Sequence, residues 1–419
     1  MLSRRTLRRA AVLAAAGTLL LTAACGSDDG DADADATSTT APTTTATDGS
    51  TSTAGEGTEP GGSEGAGAEA LAEWGERGPY GVGSTQMALA DGRRVAIWYP
   101  AEAGAGTEEP LGSFDIASLL SPELQSRIPA EVRPVYPEPA RPGAEPDRED
   151  GPYPVILFSH GFAGFPEQSL DLTTHLASWG YVVAAPDHVE RSLSGILGTA
   201  AVGVPPMEDA DVLAATLDLV EEEAGKDTSP LGRGMVDTEK VGVAGHSAGA
   251  GATYAFAGAD ERVDAFATYS VGTGSDDEPR PDAPALPGLV MLGDRDGVIE
   301  PDATRTVYEG LSSPKYLAEI ADSGHLVFSD LCRIGADQGG IIGIAESIDL
   351  PIPENFKALG TDGCGDDFLP VDEAFPVIDA LSLAFFRTYL DEEEAAADAL
   401  VAGPVDLGTE AEVTLDAEP

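Results

Sequence analysis

Residues 241–251 read VGVAGHSAGAG, and they predict a short strand, a sharp turn and the start of a helix. Within them, GHSAG at 245–249 matches the G-x-S-x-G pattern, in which a strained turn exposes a serine Oγ at the edge of a sheet. In a chain with 50 glycines this pattern arises by chance in roughly one sequence in three. The interpretation of Ser247 as a nucleophile therefore depends on the flanking strand and helix, and on partner residues elsewhere in the chain.

Short apolar runs alternate with helical patterns through most of the chain, which predicts a mostly parallel central sheet covered by helices, an α/β fold. An Asp91-Gly92 turn predicts a hairpin between strands at 85–89 and 94–99. Residues 101–154 are rich in Pro and Glu and predict an irregular excursion with one short helix at 116–126. Further strands are predicted at 155–159, 181–185, 241–244, 263–269, 289–292 and 316–321, and the strand at 316–321 is expected to be the last one of the chain. Helices are predicted at 167–178, 206–223, 302–311 and 374–390.

A serine nucleophile requires a base that accepts its proton and an acid that orients the base. His325 directly follows the last predicted strand, on the sheet edge where Ser247 is expected, and is the candidate base. Asp294 and Asp296 follow the strand before it. The resulting order Ser, Asp, His is the one expected for α/β hydrolases. Either aspartate could instead only cap the turn, so two candidates remain for the acid.

The other histidines are predicted to have no proton-transfer role. His246 lies inside the elbow and is poorly placed to reach the Oγ of Ser247. His160 precedes Gly161 after a predicted strand, where the expected contribution to the site is a backbone N–H rather than the histidine side chain. His175 and His188 are expected to be structural or surface residues.

Two backbone amides are expected to form an oxyanion hole. One is the N–H of Ala248, the residue after the nucleophile. The other is supplied by the sequence Ser-His-Gly-Phe at 159–162, where Gly161 permits a tight turn and the N–H of Phe162 is the predicted donor.

The amino terminus predicts export. Residues 1–24 combine a basic segment with an apolar run that is too short to span a membrane, which is typical of a signal peptide. Arg4-Arg5 resembles a twin-arginine export signal. The sequence LTAACG at 21–26 resembles the bacterial lipobox and predicts that Cys25 is lipidated. The alternative is an ordinary signal peptide that happens to contain a cysteine.

Composition predicts the remaining domain boundaries. Residues 25–70 are rich in Ser, Thr, Asp and Gly and predict a disordered tether, followed by one α/β domain at 71–400 and an acidic tail at 401–419. The chain has 73 acidic and 23 basic residues and a formal charge of −50. It is therefore expected to be repelled by nucleic acid and anionic lipid, and to contact a membrane only through its lipid anchor.

Cys332 and Cys364 remain after Cys25 and predict a disulfide in an exported protein. The alternative is two free, buried thiols. The segment between them is rich in glycine and isoleucine and has no clear strand or long helix of its own. We expect it to form a flap beside the active-site mouth, with its isoleucines lining the acyl or alcohol side.

Several motifs together resemble one family. FSHGF at 158–162, LASWGYVVAAPDH at 176–188, GHSAG and Gly324-His325 look like the α/β hydrolases related to platelet-activating-factor acetylhydrolase isoform II, and are similar to dienelactone-hydrolase-like proteins and polyester hydrolases. The resemblance implies a Ser-Asp-His esterase without metal or organic cofactor, and its pattern fits Asp296 as the acid. True dienelactone hydrolases use Cys where this chain has Ser247, and residues 101–154 and 331–370 match no subfamily.

The resulting hypothesis is an exported, cell-surface serine esterase that hydrolyses carboxylic esters through Ser247, Asp296 and His325. Its partner is a small-molecule or lipid ester. The nearer alternative is the same chemistry on polyesters or phospholipid-type esters. The alternative of another class is a catalytically silent surface lipoprotein that uses the fold for binding.

Overall fold

A large mixed sheet organises the protein in the computed structural model, which describes residues 63–105, 111–198, 204–274 and 280–419. The strands in these ranges are, in chain order, β1 (Gly81–Ala88), β2 (Arg94–Ala101), β3 (Gly112–Asp115), β4 (Val135–Glu138), β5 (Arg141–Pro142), β6 (Tyr153–Ser159), β7 (Val182–Pro186), β8 (Val236–His246), β9 (Ala265–Tyr269), β10 (Gly288–Gly293), β11 (Lys315–Ile320), β12 (Gly403–Val405) and β13 (Val413–Glu418). Only β3 and β4 lie outside the large sheet, as a separate antiparallel pair.

The large sheet has the order β12-β13-β11-β10-β9-β8-β6-β7-β2-β1-β5. Its six central strands, β7, β6, β8, β9, β10 and β11, all run parallel to one another. They correspond to the six strands predicted from apolar runs after residue 154. The mostly parallel sheet is therefore confirmed, and it brings the carboxyl ends of these strands to one edge.

Helices cover both faces of the sheet. In the described ranges they are α1 (Ser63–Trp74), α2 (Pro122–Gln125), α3 (Leu170–Ser178), α4 (Leu193–Leu197), α5 (Asp209–Ala224), α6 (Ala248–Ala259), α7 (Pro301–Gly310), α8 (Gly340–Ser347), α9 (Glu354–Leu359), α10 (Val371–Leu390) and α11 (Glu394–Ala399). One face packs against α1, α3, α10 and α11, and the other against α5, α6 and α7.

Strand β6 shows how the two cores form. Its apolar run is buried over its whole length, as expected for a central parallel strand. Because successive side chains point to opposite faces, Ile156 and Phe158 pack in the core with α3 and α10, whereas Val155 and Leu157 pack in the core with α5 and α6.

The predicted hairpin is present as β1 and β2, with Met87 opposite Val95. The turn contains Gly92 at φ 94°, which a glycine adopts without strain. The excursion at 101–154 is more ordered than expected. Its predicted helix at 116–126 is divided into a 3₁₀ turn at Ile116–Leu119 and α2, because Pro122 cannot continue a helix from the preceding turn.

The acidic tail predicted at 401–419 and the boundary at residue 400 are wrong. Strand β13 pairs antiparallel with β11, and β12 pairs with β13. In β13, Val413 and Leu415 are buried while Thr414 and Asp416 are exposed. The acidic residues lie on the solvent face of a half-buried strand, and this alternation is the signal that the composition obscured. Residues 316–321 are therefore not the last strand.

The tether predicted at 25–70 is also wrong at its carboxyl end, since α1 begins at Ser63. Ala70 of this helix packs against the core that contains Leu71, Trp74 and residues of α10 and α11, so the packed domain begins before residue 71. The signal peptide, Cys25 and the tether up to residue 62 lie outside the described residues. No helix in the described ranges is both long and apolar enough to cross a membrane.

Leu415 tests the packing of the carboxyl-terminal strand. It lies opposite Ala318 of β11 and is fully buried, so we expect Leu415→Ala to lower the free energy of unfolding by about 2–5 kcal/mol. The matched control is Thr414→Ala on the exposed face, expected to change it by less than about 0.5 kcal/mol. Urea unfolding measures both, and equal effects would contradict the pairing of β13 with the core.

Candidate active site

The elbow has the strained backbone that the sequence predicted. Strand β8 ends at His246, and α6 begins at Ala248, so Ser247 is the single residue of the turn. Ser247 has φ 58° and ψ −119°, a conformation that costs a non-glycine residue on the order of 1–3 kcal/mol. Its N–H donates a hydrogen bond of 2.9 Å to the carbonyl of Tyr269 in β9. The neighbouring strand thus holds the serine in this conformation.

The two glycines of the motif are required by close packing. A Cβ at Gly245 would lie within 3.0 Å of the Gly249 carbonyl and of Thr253 Oγ1, and a Cβ at Gly249 would lie within 3.0 Å of the Ser159 carbonyl at the end of β6. Real Cβ atoms do not make such contacts. The absence of side chains at both positions lets α6 pass close to two strands.

His325 and Asp296 form a buried pair at the same edge of the sheet. His325 Nδ1 donates a hydrogen bond of 2.8 Å to Asp296 Oδ2, and both side chains are 1 % exposed. The other Asp296 oxygen accepts hydrogen bonds of 2.8 Å from the N–H groups of Val298 and Ile299. Burial raises the pKa of Asp296, but the bond to His325 and the two amides outweigh it, so the pKa lies below its ordinary value.

The two aspartates left open by the sequence differ in their contacts with His325. Asp294 is exposed and makes no contact with His325 in the described structure, whereas Asp296 does. With Nδ1 donating to a carboxylate, Nε2 carries the free lone pair. His325 Nε2 has no hydrogen-bond partner among the described residues, and His325 and Ser247 line one cavity. The catalytic roles of these residues stay predictions.

Asp362 is a positioning residue that the sequence reasoning missed. Its Oδ1 accepts a hydrogen bond of 2.6 Å from the N–H of His325 and one of 3.3 Å from the N–H of Gly297. Its carbonyl accepts a bond of 3.0 Å from the N–H of Leu326. One residue therefore fixes the loop of the histidine and the loop of Asp296. An aspartate in a Gly-rich loop gives no sequence signal for this role.

The elbow histidine connects three loops. The N–H of Gly161 donates to Gln168 Oε1 at 3.0 Å, Gln168 Nε2 donates to His246 Nδ1 at 2.9 Å, and His246 Nε2 donates to the His325 carbonyl at 2.9 Å. Burial, followed by the nearby His325, lowers the pKa of His246 to about 3. His246 is therefore neutral near pH 7 and acts as a fixed hydrogen-bonding link, consistent with the expectation that it is not the base.

The oxyanion amides are both unpartnered. The N–H groups of Phe162 and Ala248 donate to no carbonyl or side chain of the described residues, although Phe162 packs its ring on Phe356 at 5.6 Å. Gly161, Phe162 and Ser247 line the same cavity. Neither amide is thus occupied by an acceptor from the described residues, which is one requirement of an oxyanion hole.

Arg191 holds the loop that carries Phe162. Its guanidinium donates to the carbonyls of His160 and Gly161 and, at 2.9 Å, to Ser159 Oγ. Its Nε donates to Asp209 at 2.8 Å, which keeps this buried cation paired. His188 lies in the same cluster, with Nε2 2.9 Å from Ser159 Oγ, and burial, followed by the charge of Arg191, lowers its pKa to about 4.

The remaining histidines are buried rather than on the surface. His160 Nδ1 donates to the Gly161 carbonyl at 2.8 Å, and its Nε2 accepts from the N–H of His188 at 3.1 Å. His175 lies in α3 with Nδ1 3.3 Å from Asp379 Oδ2 of α10. The cavity beside Ser247 is lined by none of these three histidines, His160, His175 and His188. Their positions therefore agree with the structural role expected for them.

A disulfide joins Cys332 and Cys364, with the two Cα atoms 5.0 Å apart. The predicted bond is confirmed, and the alternative of free thiols is wrong. The enclosed segment contains the short helices α8 and α9 and, among its described residues, no strand. Ile341, Ile344 and Ile352 from this segment line the cavity that contains Ser247 and His325, as expected for the flap.

This apolar cavity has a volume of about 160 Å³. A larger cavity of about 680 Å³ lies between the β1–β2 hairpin and the segment around Phe114, and it contains none of the candidate catalytic residues. Its arginines are paired, Arg93 with Glu190 and Arg94 with Glu167. In the described ranges, no group of three or more His, Cys, Asp or Glu residues is arranged to hold a metal ion.

Comparison with known proteins supports the fold. The chlorophyllase family model matches residues 135–273, which include Phe162 and Ser247 but end before Asp296 and His325. A ferulic acid esterase from Streptomyces cinnamoneus is 23 % identical, with a TM-score of 0.50 over 76 % of this chain and 92 % of that chain. No curated protein matches. The chain therefore has an α/β-hydrolase fold, and its resemblance to the platelet-activating-factor acetylhydrolase group stays a prediction.

Gly249 tests the packing of the elbow. Because its Cβ would meet the Ser159 carbonyl, we expect Gly249→Ala to lower the free energy of unfolding by about 1–3 kcal/mol or more. Gly258, in the same helix, is exposed and has room for a Cβ, so Gly258→Ala is expected to raise it by up to about 1 kcal/mol. Urea unfolding compares them, and a stable Gly249→Ala variant would contradict the close approach of α6 and β6.

Proposed function

We propose that this protein is a serine hydrolase that cleaves carboxylic esters. The observation that carries the proposal is the buried Asp296–His325 pair, in which Nε2 has no hydrogen-bond partner among the described residues and whose histidine lines the same cavity as the strained Ser247 and Phe162. The name of the ferulic acid esterase and the match of the chlorophyllase family model across the elbow support hydrolysis of esters. The fold alone would support many other activities.

The proposed reaction begins with attack of Ser247 Oγ on the ester carbonyl carbon, while the hydroxyl proton passes to His325 Nε2. The amides of Phe162 and Ala248 donate to the oxyanion, and Asp296 stabilises the imidazolium. The carbonyl–alkoxy bond then breaks, and the leaving alcohol takes the proton from Nε2. Water, deprotonated by Nε2, next attacks the acyl-enzyme. Cleavage of the bond to Oγ releases the carboxylic acid, and the proton returns to Ser247.

We further propose that the protein acts outside the cytoplasm as a lipoprotein anchored through Cys25. This part depends on the amino-terminal sequence, with its basic segment, apolar run and lipobox-like LTAACG. The disulfide between Cys332 and Cys364 supports it, because structural disulfides persist mainly in oxidising compartments.

Ser247→Ala tests the proposal. We expect it to lower the hydrolysis of p-nitrophenyl acetate by about 10,000-fold or more and to abolish labelling by a fluorophosphonate probe, because the nucleophile is lost. Ser312→Ala is the matched control, since Ser312 is exposed and far from the elbow in sequence. Two results would contradict the proposal. One is activity of Ser247→Ala within tenfold of the unmodified protein. The other is an unmodified protein that neither reacts with the probe nor hydrolyses esters, which would favour a catalytically silent binding protein.

The two aspartates give a second test. Asp296→Asn should lower kcat by about 10,000-fold, because an amide cannot hold the required histidine tautomer or stabilise imidazolium. Asp294→Asn makes the same chemical change at an exposed position two residues away and should leave kcat within about threefold. Steady-state kinetics measure both, and the reverse order of damage would transfer the role of the acid to Asp294.

A further inference from the structure

The cavity beside Ser247 is specific enough in size and chemistry to indicate a substrate class. Resting on the proposed ester hydrolysis, we propose that the ester carries, on one side of its carbonyl, a single uncharged apolar group of about six carbons, either a medium alkyl chain or a phenyl ring. Acetyl esters of small alcohols and esters with a charged group at this position would be poor substrates.

The size of the apolar group follows from the volume of the cavity. The cavity measures about 160 Å³, and an apolar protein cavity of about 150 Å³ binds one benzene molecule. A six-carbon chain or ring therefore fills it. An acetyl or methyl group would leave most of the apolar wall without a contact partner, which forfeits the hydrophobic contribution of burial.

The requirement for an uncharged group follows from the side chains that line the cavity. No Asp, Glu, Lys or Arg side chain of the described residues lines this cavity. Besides the candidate catalytic Ser247 and His325, the polar side chains that line it are Gln168 and His246. These two are already hydrogen-bonded to each other and to the loops on either side. A carboxylate or ammonium placed among these walls would be buried without a partner, which is strongly unfavourable.

Packing between two chain segments limits the cavity. Ala117, Leu120 and Ile128 of the excursion form one buried cluster with Ile348 of the disulfide-closed segment, and each of them also lines the cavity. Arg127 donates a hydrogen bond to the Ile348 carbonyl across the same boundary. Because these walls support each other, a longer chain would have to project out of the cavity, and additional methylenes beyond about six would gain little from burial.

Ala345 is the position at which this inference can be tested. Its side chain lies in α8, is half-buried and lines the cavity, so Ala345→Leu would fill space without removing an existing contact. Ala358 in α9 belongs to the same disulfide-closed segment but is exposed and does not line the cavity. Ala358→Leu therefore makes the same change as a matched control.

The experiment measures kcat/KM for two ester series. One varies the acyl group of p-nitrophenyl esters from acetate to dodecanoate and includes benzoate, and the other varies the alcohol of alkyl acetates from methyl to octyl. We expect kcat/KM to rise by about fourfold per methylene up to about six carbons in one series and then to level off. p-Nitrophenyl hexanoate should exceed its carboxylate-bearing counterpart, the p-nitrophenyl monoester of adipic acid, by at least about 100-fold.

The variants separate cavity filling from other effects. Ala345→Leu should lower the ratio of kcat/KM for the six-carbon ester to kcat/KM for p-nitrophenyl acetate by at least about tenfold, whereas Ala358→Leu should change this ratio by no more than about twofold. This inference alone would be overturned if Ser247-dependent hydrolysis of the acetate is present but kcat/KM does not change with chain length in either series. Equal effects of the two variants would overturn it in the same way. A lack of any Ser247-dependent hydrolysis would overturn the proposed function with it.

Discussion

The close approach of α6 to the ends of β6 and β8 is the constraint on which the rest of the site depends. Gly249 lies against the Ser159 carbonyl, and Gly245 lies against Gly249 and Thr253. These contacts hold Ser247 in its strained conformation and also bring the loop after β6, with the amide of Phe162, to the first turn of α6. The positions of the candidate nucleophile and of both candidate oxyanion amides thus depend on one packing arrangement.

The disulfide-closed segment is the second element that organises the site. Asp362, two residues before Cys364, accepts hydrogen bonds from His325 and Gly297, and isoleucines of the same segment line the cavity. On the chain-entropy model, closing a loop of this length stabilises the fold by roughly 3.5–4 kcal/mol. The segment that shapes the cavity therefore also steadies the histidine and the aspartate, so the lining of the cavity and the geometry of the Asp296–His325 pair depend on the same segment.

The elements predicted from sequence were those with strong periodicity. Apolar runs indicated the strands β6 to β11. The spacing of three apolar residues indicated helix α5, and all three are fully buried, namely Leu213, Leu217 and Val220. Both patterns are informative because a buried surface must be apolar on the side that faces the core. The predictions were wrong where composition was used instead of pattern. Val413 and Leu415 alternate with the exposed residues Thr414 and Asp416 in β13. Leu71 and Trp74 are preceded by a stretch with little apolar content.

The sequence by itself determined the candidate nucleophile, the candidate base and the strands that carry them, because a turn motif and local periodicity are properties of neighbouring residues. Only the tertiary structure paired Asp296 rather than Asp294 with His325, revealed Asp362, Gln168 and Arg191 as positioning residues, and closed the cavity between residues 116–128 and 341–360. These features depend on groups that are distant along the chain. Their distances and partners arise only when the sheet edge, the elbow and the disulfide-closed segment pack together, and no local pattern encodes them.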